Sequence, residues 1–318
     1  MDKNARIYVA GHRGLVGSAL VRRLESGGYV NLLTREHADL DLTQQVAAEA
    51  FFAQEKPDYV VLAAARVGGI YANNTYRAEF LYQNLMIYSN VVCAAWKAGV
   101  KKLLFLGSSC VYPTRAAQPM SEECLLTGPL EPTNEPYAVA KIAGLKLCDS
   151  FNQQYGTNFM SVMPTNIYGI GDNFDLKSSH VLPALLRKCH EAKERGDATF
   201  NVWGSGEARR EFLYADDLAD ACIFLLERYN ACDLGTHINI GTGEDLPIRQ
   251  LAEEIIDVVG FSGELTWDHS KSDGMPRKWL NVSRMQDLGW SAKTDLRTGL
   301  EQVYAWYQSE YPSALKTQ

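Results

Sequence analysis

Tyr137 and Lys141 stand four residues apart in Tyr137-Ala138-Val139-Ala140-Lys141, a spacing that puts both on one face of a helix. A free phenol titrates at about 10, and a nearby ammonium favours the phenolate, so such a pair suits proton exchange with an alkoxide. Upstream, Gly107-Ser108-Ser109-Cys110 follows a strand-like run, and the Ser108 hydroxyl there is a candidate to stabilise a developing oxyanion together with Tyr137. Two further titratable side chains, Cys110 and His180, have free pKa values of about 8.5 and about 6.5. Taken singly, each has a plainer reading as a buried thiol and a satisfied imidazole. Tyr-x3-Lys also recurs on helix surfaces by chance; the serine and a glycine-rich loop earlier in the chain give it weight.

That loop is Gly11-His12-Arg13-Gly14-Leu15-Val16-Gly17, directly after the run Ile7-Tyr8-Val9-Ala10. Missing Cβ atoms permit a tight turn, close approach of a pyrophosphate and close helix packing. The helix N-terminus that follows favours an anion through its free N–H groups and partial positive charge. A lone glycine loop is a weak signal, but strand before and helix after make it a dinucleotide site. After the second strand, where an acidic residue commonly holds the ribose hydroxyls of NAD, the chain has Leu33-Thr34-Arg35-Glu36-His37. Arg35, with Arg13, suits a 2′-phosphate, so NADP(H) is the expected cofactor. The competing reading is two solvated surface arginines.

The elements that must carry these groups alternate in type. Strands are expected at 7–10, 30–33, 59–63, 103–106 and 159–163, and helices at 19–27, 44–54, 80–98 and 137–155. That rhythm makes an α/β fold, a doubly wound parallel Rossmann sheet covered by helices on both faces. Beyond Pro164 the pattern loosens, with Gly169-Ile170-Gly171-Asp172-Asn173 before a helix at 181–194. Further helices are expected at 216–229, 249–259 and 296–307, and a strand at 238–240. The expected division is a nucleotide-binding domain over 1–165, with 205–240 returning to it. A smaller C-terminal α/β substrate domain takes 166–204 and 241–318.

Longer stretches than these motifs resemble the extended short-chain dehydrogenases, and within them the GDP-sugar epimerase/reductases. The stretches are Ala10 to Gly14, Val67-Gly68-Gly69-Ile70 with Ala72-Asn73-Asn74-Thr75, Leu106 to Tyr112, Glu131 to Tyr137, and Met163-Pro164-Thr165-Asn166. The resemblance spans nearly the whole chain. It implies epimerisation of GDP-4-keto-6-deoxy-mannose at carbons 3 and 5, then hydride delivery to carbon 4, with Cys110 as base and His180 as acid. It implies further cofactor contacts from Leu106, Gly107, Ser108, Ser109, Lys141, Pro164, Thr165, Asn166, Ile167 and His180, beside the loop residues 11–17 and Arg35. For the GDP-sugar it implies Lys188, Trp203, Arg210, Asp273 and Lys278. Lys188 stands where the family has an arginine, which keeps the charge and removes the fork. A core tryptophan is the competing reading of Trp203.

Composition bounds the remaining classes. The 318 residues are 46% hydrophobic and 22% charged, which is ordinary for a globular chain of about two domains. The net charge of −7 argues against broad binding to nucleic acid or anionic membranes. No apolar run approaches the roughly 20 residues of a membrane span, and the chain is expected in the cytoplasm. The seven cysteines include no Cys-x2-Cys pair, so no metal site is expected. Apolar stripes on the helices over 80–98 and 137–155 are expected to form a homodimer through a helical bundle, as is common in this superfamily. Rival readings are the same chemistry on a GDP-4-keto dideoxy sugar or heptose, a UDP-sugar 4-epimerase with tightly kept NAD, and a non-catalytic dinucleotide sensor.

Overall fold

The computed structural model of the chain describes residues 1–314 apart from Ser272. In chain order the first half runs β1 (Ile7–Ala10), α1 (Leu15–Ser26), β2 (Leu32–Leu33), α2 (Gln45–Glu55), β3 (Tyr59–Leu62), α3 (Ile70–Thr75), α4 (Arg77–Lys97), β4 (Lys102–Leu106), α5 (Glu135–Tyr155) and β5 (Phe159–Pro164). The second half runs β6 (Asn166–Tyr168), α6 (Val181–Arg195), β7 (Thr199–Trp203), β8 (Arg209–Arg210), β9 (Phe212–Tyr214), α7 (Ala215–Arg228), α8 (Ala231–Leu234), β10 (Ile238–Ile240), β11 (Leu246–Pro247), α9 (Ile248–Val259), β12 (Glu264–Asp268), β13 (Arg277–Lys278), α10 (Ser283–Asp287) and α11 (Leu296–Ala314).

Six strands form one sheet in the order β10-β5-β4-β3-β1-β2, every pair parallel. Strand period two divides its side chains between two cores. Ile7 and Val9 of β1 face Leu20, Leu24, Leu218 and Leu225 of α1 and α7, while Tyr8 and Ala10 face the core of α2, α4 and α5. Both faces are dry, as a parallel sheet built from crossover helices requires. A third apolar core gathers Leu182, Leu186, Phe200, Phe212, Leu251, Ile255 and Leu300 between α6, α9, α11 and strands β7 and β9.

The remaining strands are short. β8 lies between β11 and β13, β12 pairs with β7, and β6 pairs with β9. Helix α5 starts with Pro136 in its first turn and ends at Gly156 in the left-handed region, which suits the fixed φ of proline and the missing Cβ of glycine. The helix at α1 begins at Leu15, earlier than the periodicity suggests, because Gly14 serves as its N-cap.

Candidate active site

The glycine loop folds as its residue types require. Gly11 has φ +84°, and a Cβ there would lie 2.7 Å from the Ala64 backbone nitrogen; one on Gly17 would collide with the Gly11 carbonyl. Those two glycines are demanded by the protein itself. Gly14 is different. Its φ is −74°, and an added Cβ would meet nothing nearer than the Gly11 carbonyl oxygen at 3.5 Å. No protein atom needs that space, which opens at the N-terminus of α1 where an anion is favoured. The residues present therefore fit a dinucleotide pyrophosphate.

Arg13 forms an ion pair with Glu36 across this loop, and Arg35 reaches Glu55 at 2.7 Å. Both arginines therefore border the chain just after β2. The other side of the nucleotide region is built from the ends of β4 and β5. Gly107 donates to the Val162 carbonyl at 2.8 Å, and Thr165 donates to the Ile240 carbonyl at 3.0 Å. Asn166 Nδ2 donates to the Glu211 carbonyl at 2.8 Å.

Tyr137, Lys141, Ser108 and Cys110 converge where α5 passes the end of β4. The Lys141 ammonium donates to the Leu106 carbonyl and lies 5.7 Å from the centre of the Tyr137 ring. Ser108 Oγ accepts the Cys110 amide at 3.3 Å. The sequence reading has Lys141 easing the Tyr137 phenol toward ionisation, and here burial wins instead. Desolvation raises the Tyr137 pKa well above its ordinary value and pushes Lys141 down to about 7. Tyr137 therefore rests protonated, the state a proton donor needs.

Cys110 and His180 also rest in states set by their surroundings. Burial raises the Cys110 thiol; the Lys278 ammonium, the Ser108 hydrogen bond and Lys141 oppose it. His180 is itself exposed, and desolvation by the protein packed around it, with the Lys278 ammonium, lowers its pKa. The resting pair is a thiol and a neutral imidazole, so the thiol must give up a proton before it serves as a base. Lys278 lies within electrostatic reach of both, and is itself lowered chiefly by burial.

His180 is the N-cap residue of α6 and makes no side-chain cap bond. Its approach loop is clamped from the other half of the chain. The Gly69 amide donates to the Ser178 carbonyl at 2.8 Å, and Asn73 Nδ2 donates to the Gly68 and Gly69 carbonyls. Sequence reasoning quoted Asn73 without giving it work; its value lies in a loop-to-loop contact that no local pattern announces.

Four of the five expected substrate contacts surround β8 and β13. Lys278 and Arg210 are parallel-ladder partners. Arg209 pairs with the buried Asp245 at 3.0 Å, and so does Arg277 at 2.6 Å, which leaves Arg210 as the arginine of that strand with Asp273 as its electrostatic counterpart. Asp273 accepts the Ser205 amide at 2.7 Å and its hydroxyl at 2.8 Å. Trp203 is 60% exposed, which rules out the core reading. The ammonium of Lys188, the fifth expected contact, sits 4.4 Å from the Trp203 ring centre, and that of Lys271 sits 5.5 Å away. Sequence reasoning missed Asp245 and Glu211, whose signal is an acidic residue buried beside basic strands.

Among the described residues no cluster of His, Cys, Asp and Glu has metal-holding geometry, and no helix is long and apolar enough to cross a membrane.

Comparison with known proteins fits this geometry. Residues 7–241 match the NAD dependent epimerase/dehydratase family. GDP-L-fucose synthase 1 of Arabidopsis thaliana is 58% identical over 306 residues, covering 96% of this chain and 94% of that protein. The GDP-L-fucose synthase of Escherichia coli K12 is 54% identical over 308 residues, covering 95% and 96%. A structure of a GDP-D-glycero-L-gluco-heptose synthase from Campylobacter jejuni in the presence of NADPH superposes with a TM-score of 0.92. It is 40% identical and covers 97% of this chain and 100% of the other.

Proposed function

The chain belongs to the NAD dependent epimerase/dehydratase family, and from that premise we propose that it converts GDP-4-keto-6-deoxy-mannose to GDP-L-fucose with NADPH. It is an NADP-dependent oxidoreductase with epimerase activity. The observation that carries the reading is the convergence of Cys110 with Ser108, Lys141 and Tyr137 at the end of β4, with Lys278 acting electrostatically on both Cys110 and His180. A simple 4-epimerase has no use for that second proton-handling pair. The curated GDP-L-fucose synthases, at 54% and 58% identity, also stand nearer than the heptose synthase at 40%.

Gly11 to Gly17 would hold the pyrophosphate, Arg13 and Arg35 would take the 2′-phosphate, and Leu106 to Ser109 with Pro164 to Ile167, Lys141 and His180 would line the nicotinamide side. NADPH, when bound, supplies the hydride for carbon 4. The ketone at carbon 4 acidifies the C–H bonds at carbons 3 and 5. For this the thiol must lose its proton and His180 must gain one; the Cys110 thiolate then takes a proton from one face of the ring and the His180 imidazolium returns one to the other, which restores the resting thiol and imidazole. Lys278 favours the thiolate that this step needs. The Ser108 hydroxyl and Tyr137 hydrogen-bond the oxygen on carbon 4 while negative charge develops there. Tyr137 then protonates that oxygen. Arg210 and Lys278 face the diphosphate, Lys188 and Trp203 border the nucleotide, and Asp273 orients the Ser205 turn.

In this reading residues 1–165 with 205–240 form the nucleotide domain, and 166–204 with 241–318 the substrate domain. Two copies pair through α4 and α5, whose outer faces expose Tyr82, Trp96, Val139 and Tyr155. Free thiols at all seven cysteines suit the cytoplasm. The test is NADPH consumption with GDP-4-keto-6-deoxy-mannose followed by NMR of the sugar. GDP-L-fucose is expected. An oxidised cofactor with an unepimerised sugar would leave a plain reductase and remove Cys110 and His180 from the chemistry.

A further inference from the structure

Glu211 is fully buried, with 0% of its surface exposed, and the reaction gives it no task. It sits between two candidate walls of the site. Its Oε1 accepts the Gly243 amide at 2.9 Å, and its Oε2 accepts the Leu280 amide at 3.0 Å. Its main-chain carbonyl accepts Asn166 Nδ2 at 2.8 Å and Thr165 Oγ1 at 3.3 Å. One residue thus bonds to the chain leaving β5, to the turn after β10, and to the chain two residues past Lys278, while lying next to Arg210 in sequence.

The neighbours are shaped around the carboxylate. A Cβ on Gly241 would lie 2.1 Å from Oε1, so glycine there admits the acid. Burial raises the carboxyl pKa, and the backbone hydrogen bonds from Leu280 and Gly243 oppose it. A buried acid is a costly way to fill space; two amide donors held apart at a fixed distance give it a purpose. β8 and β13 are only two residues long, too short for a ladder to fix their position unaided.

We propose that Glu211 is a positioning residue that fixes Arg210 and Lys278, the cations for the substrate diphosphate, against the nucleotide floor at Thr165 and Asn166. This rests on the GDP-sugar reading above. Glu211→Gln keeps the shape but turns an NH2 group toward one of two N–H donors, so the Leu280 or the Gly243 anchor is lost. The main-chain bonds to Thr165 and Asn166 survive.

The experiment is calorimetric titration of the full chain and of Glu211→Gln with GDP and, separately, with NADPH. GDP is expected to bind at least about tenfold more weakly to the variant, while NADPH affinity stays within about a factor of two. Unchanged GDP affinity would overturn the proposal, and so would equal weakening of both ligands, which marks a general structural role. Where glutamine blocks folding, Glu211→Asp keeps the charge, withdraws it by one methylene, and is expected to give the same split. Failure of the unaltered chain to bind GDP would instead remove the parent reading and this one with it.

Discussion

The two walls of the site are held in place by different physics. On the nucleotide wall, β1, β3, β4 and β5 are strands of four to six residues in a continuous parallel ladder with apolar side chains on both faces. On the wall proposed to face the GDP-sugar, here the sugar wall, β8, β11 and β13 have two residues each. There the register depends on buried acids, Asp245 between Arg209 and Arg277 and Glu211 between the Gly243 and Leu280 amides. Shape governs the first wall and charge the second. A substitution on the first should act by adding or removing volume, and one on the second by breaking a pairing.

The largest expected effect tests whether the chemistry itself belongs to the nucleotide wall. Tyr137→Phe should lower carbon-4 reduction by roughly 10²–10⁴-fold while solvent deuterium still enters carbons 3 and 5, read by NMR. Cys110→Ser should do the reverse. Equal loss of deuterium entry in both folded variants would break the division of roles.

Next comes a polar contact at the start of β10, where Tyr112 contacts the buried His237 at 3.0 Å. Burial, with help from Arg284, lowers the His237 pKa to about 4. As pH falls from about 6.5 toward 4, the unfolded chain takes up a proton that the fold refuses, so stability present above 6.5 is lost. Up to about 3 kcal/mol is at stake, measurable as a fall in urea midpoint between pH 7 and 4.5 that His237→Gln should reduce. An unchanged fall would assign the acid sensitivity to other groups.

Arg210→Ala should weaken GDP by roughly 10–100-fold, the range of a lost charge-assisted contact, with NADPH binding intact by calorimetry. Matching losses for both ligands would mean that the sugar wall is not separable from the other. The smallest effect is expected at Gly14→Ala, with NADPH affinity down about tenfold and a melting temperature moved by less than about 2 °C. A larger fall in melting temperature would mean that the protein, and not the ligand, requires that glycine.

Legibility in the sequence follows the same division. Ile7–Ala10 and Ile238–Ile240 are strands at the bounds their apolar runs suggest, and α6, α7 and α9 lie within a residue or so of theirs. Long amphipathic or apolar periods leave little choice. The expected strand at 30–33 shortens to Leu32–Leu33 because Val30 is exposed, and α11 continues past Tyr307 to Ala314. Strand β7 was readable, since Phe200 and Val202 alternate inward with exposed neighbours, yet the sequence reading passes over it. β8 and β13 offer no period at all. Tyr137, Lys141 and Ser108 stand in local motifs, whereas the closeness of Lys278 to Cys110 depends on chain returning after more than 160 residues.

Gly14 carries a consequence of another kind. Gly11 and Gly17 would be retained by any descendant that still folded, because backbone atoms occupy the space around them. A methyl group on Gly14 would meet only the Gly11 carbonyl oxygen, at an ordinary contact distance of 3.5 Å, so only continued use of a ligand discourages it there. Across a lineage, that position works as a record of use: drift to alanine at Gly14 with Gly11 and Gly17 intact would mark the branch in which the fold outlived its cofactor.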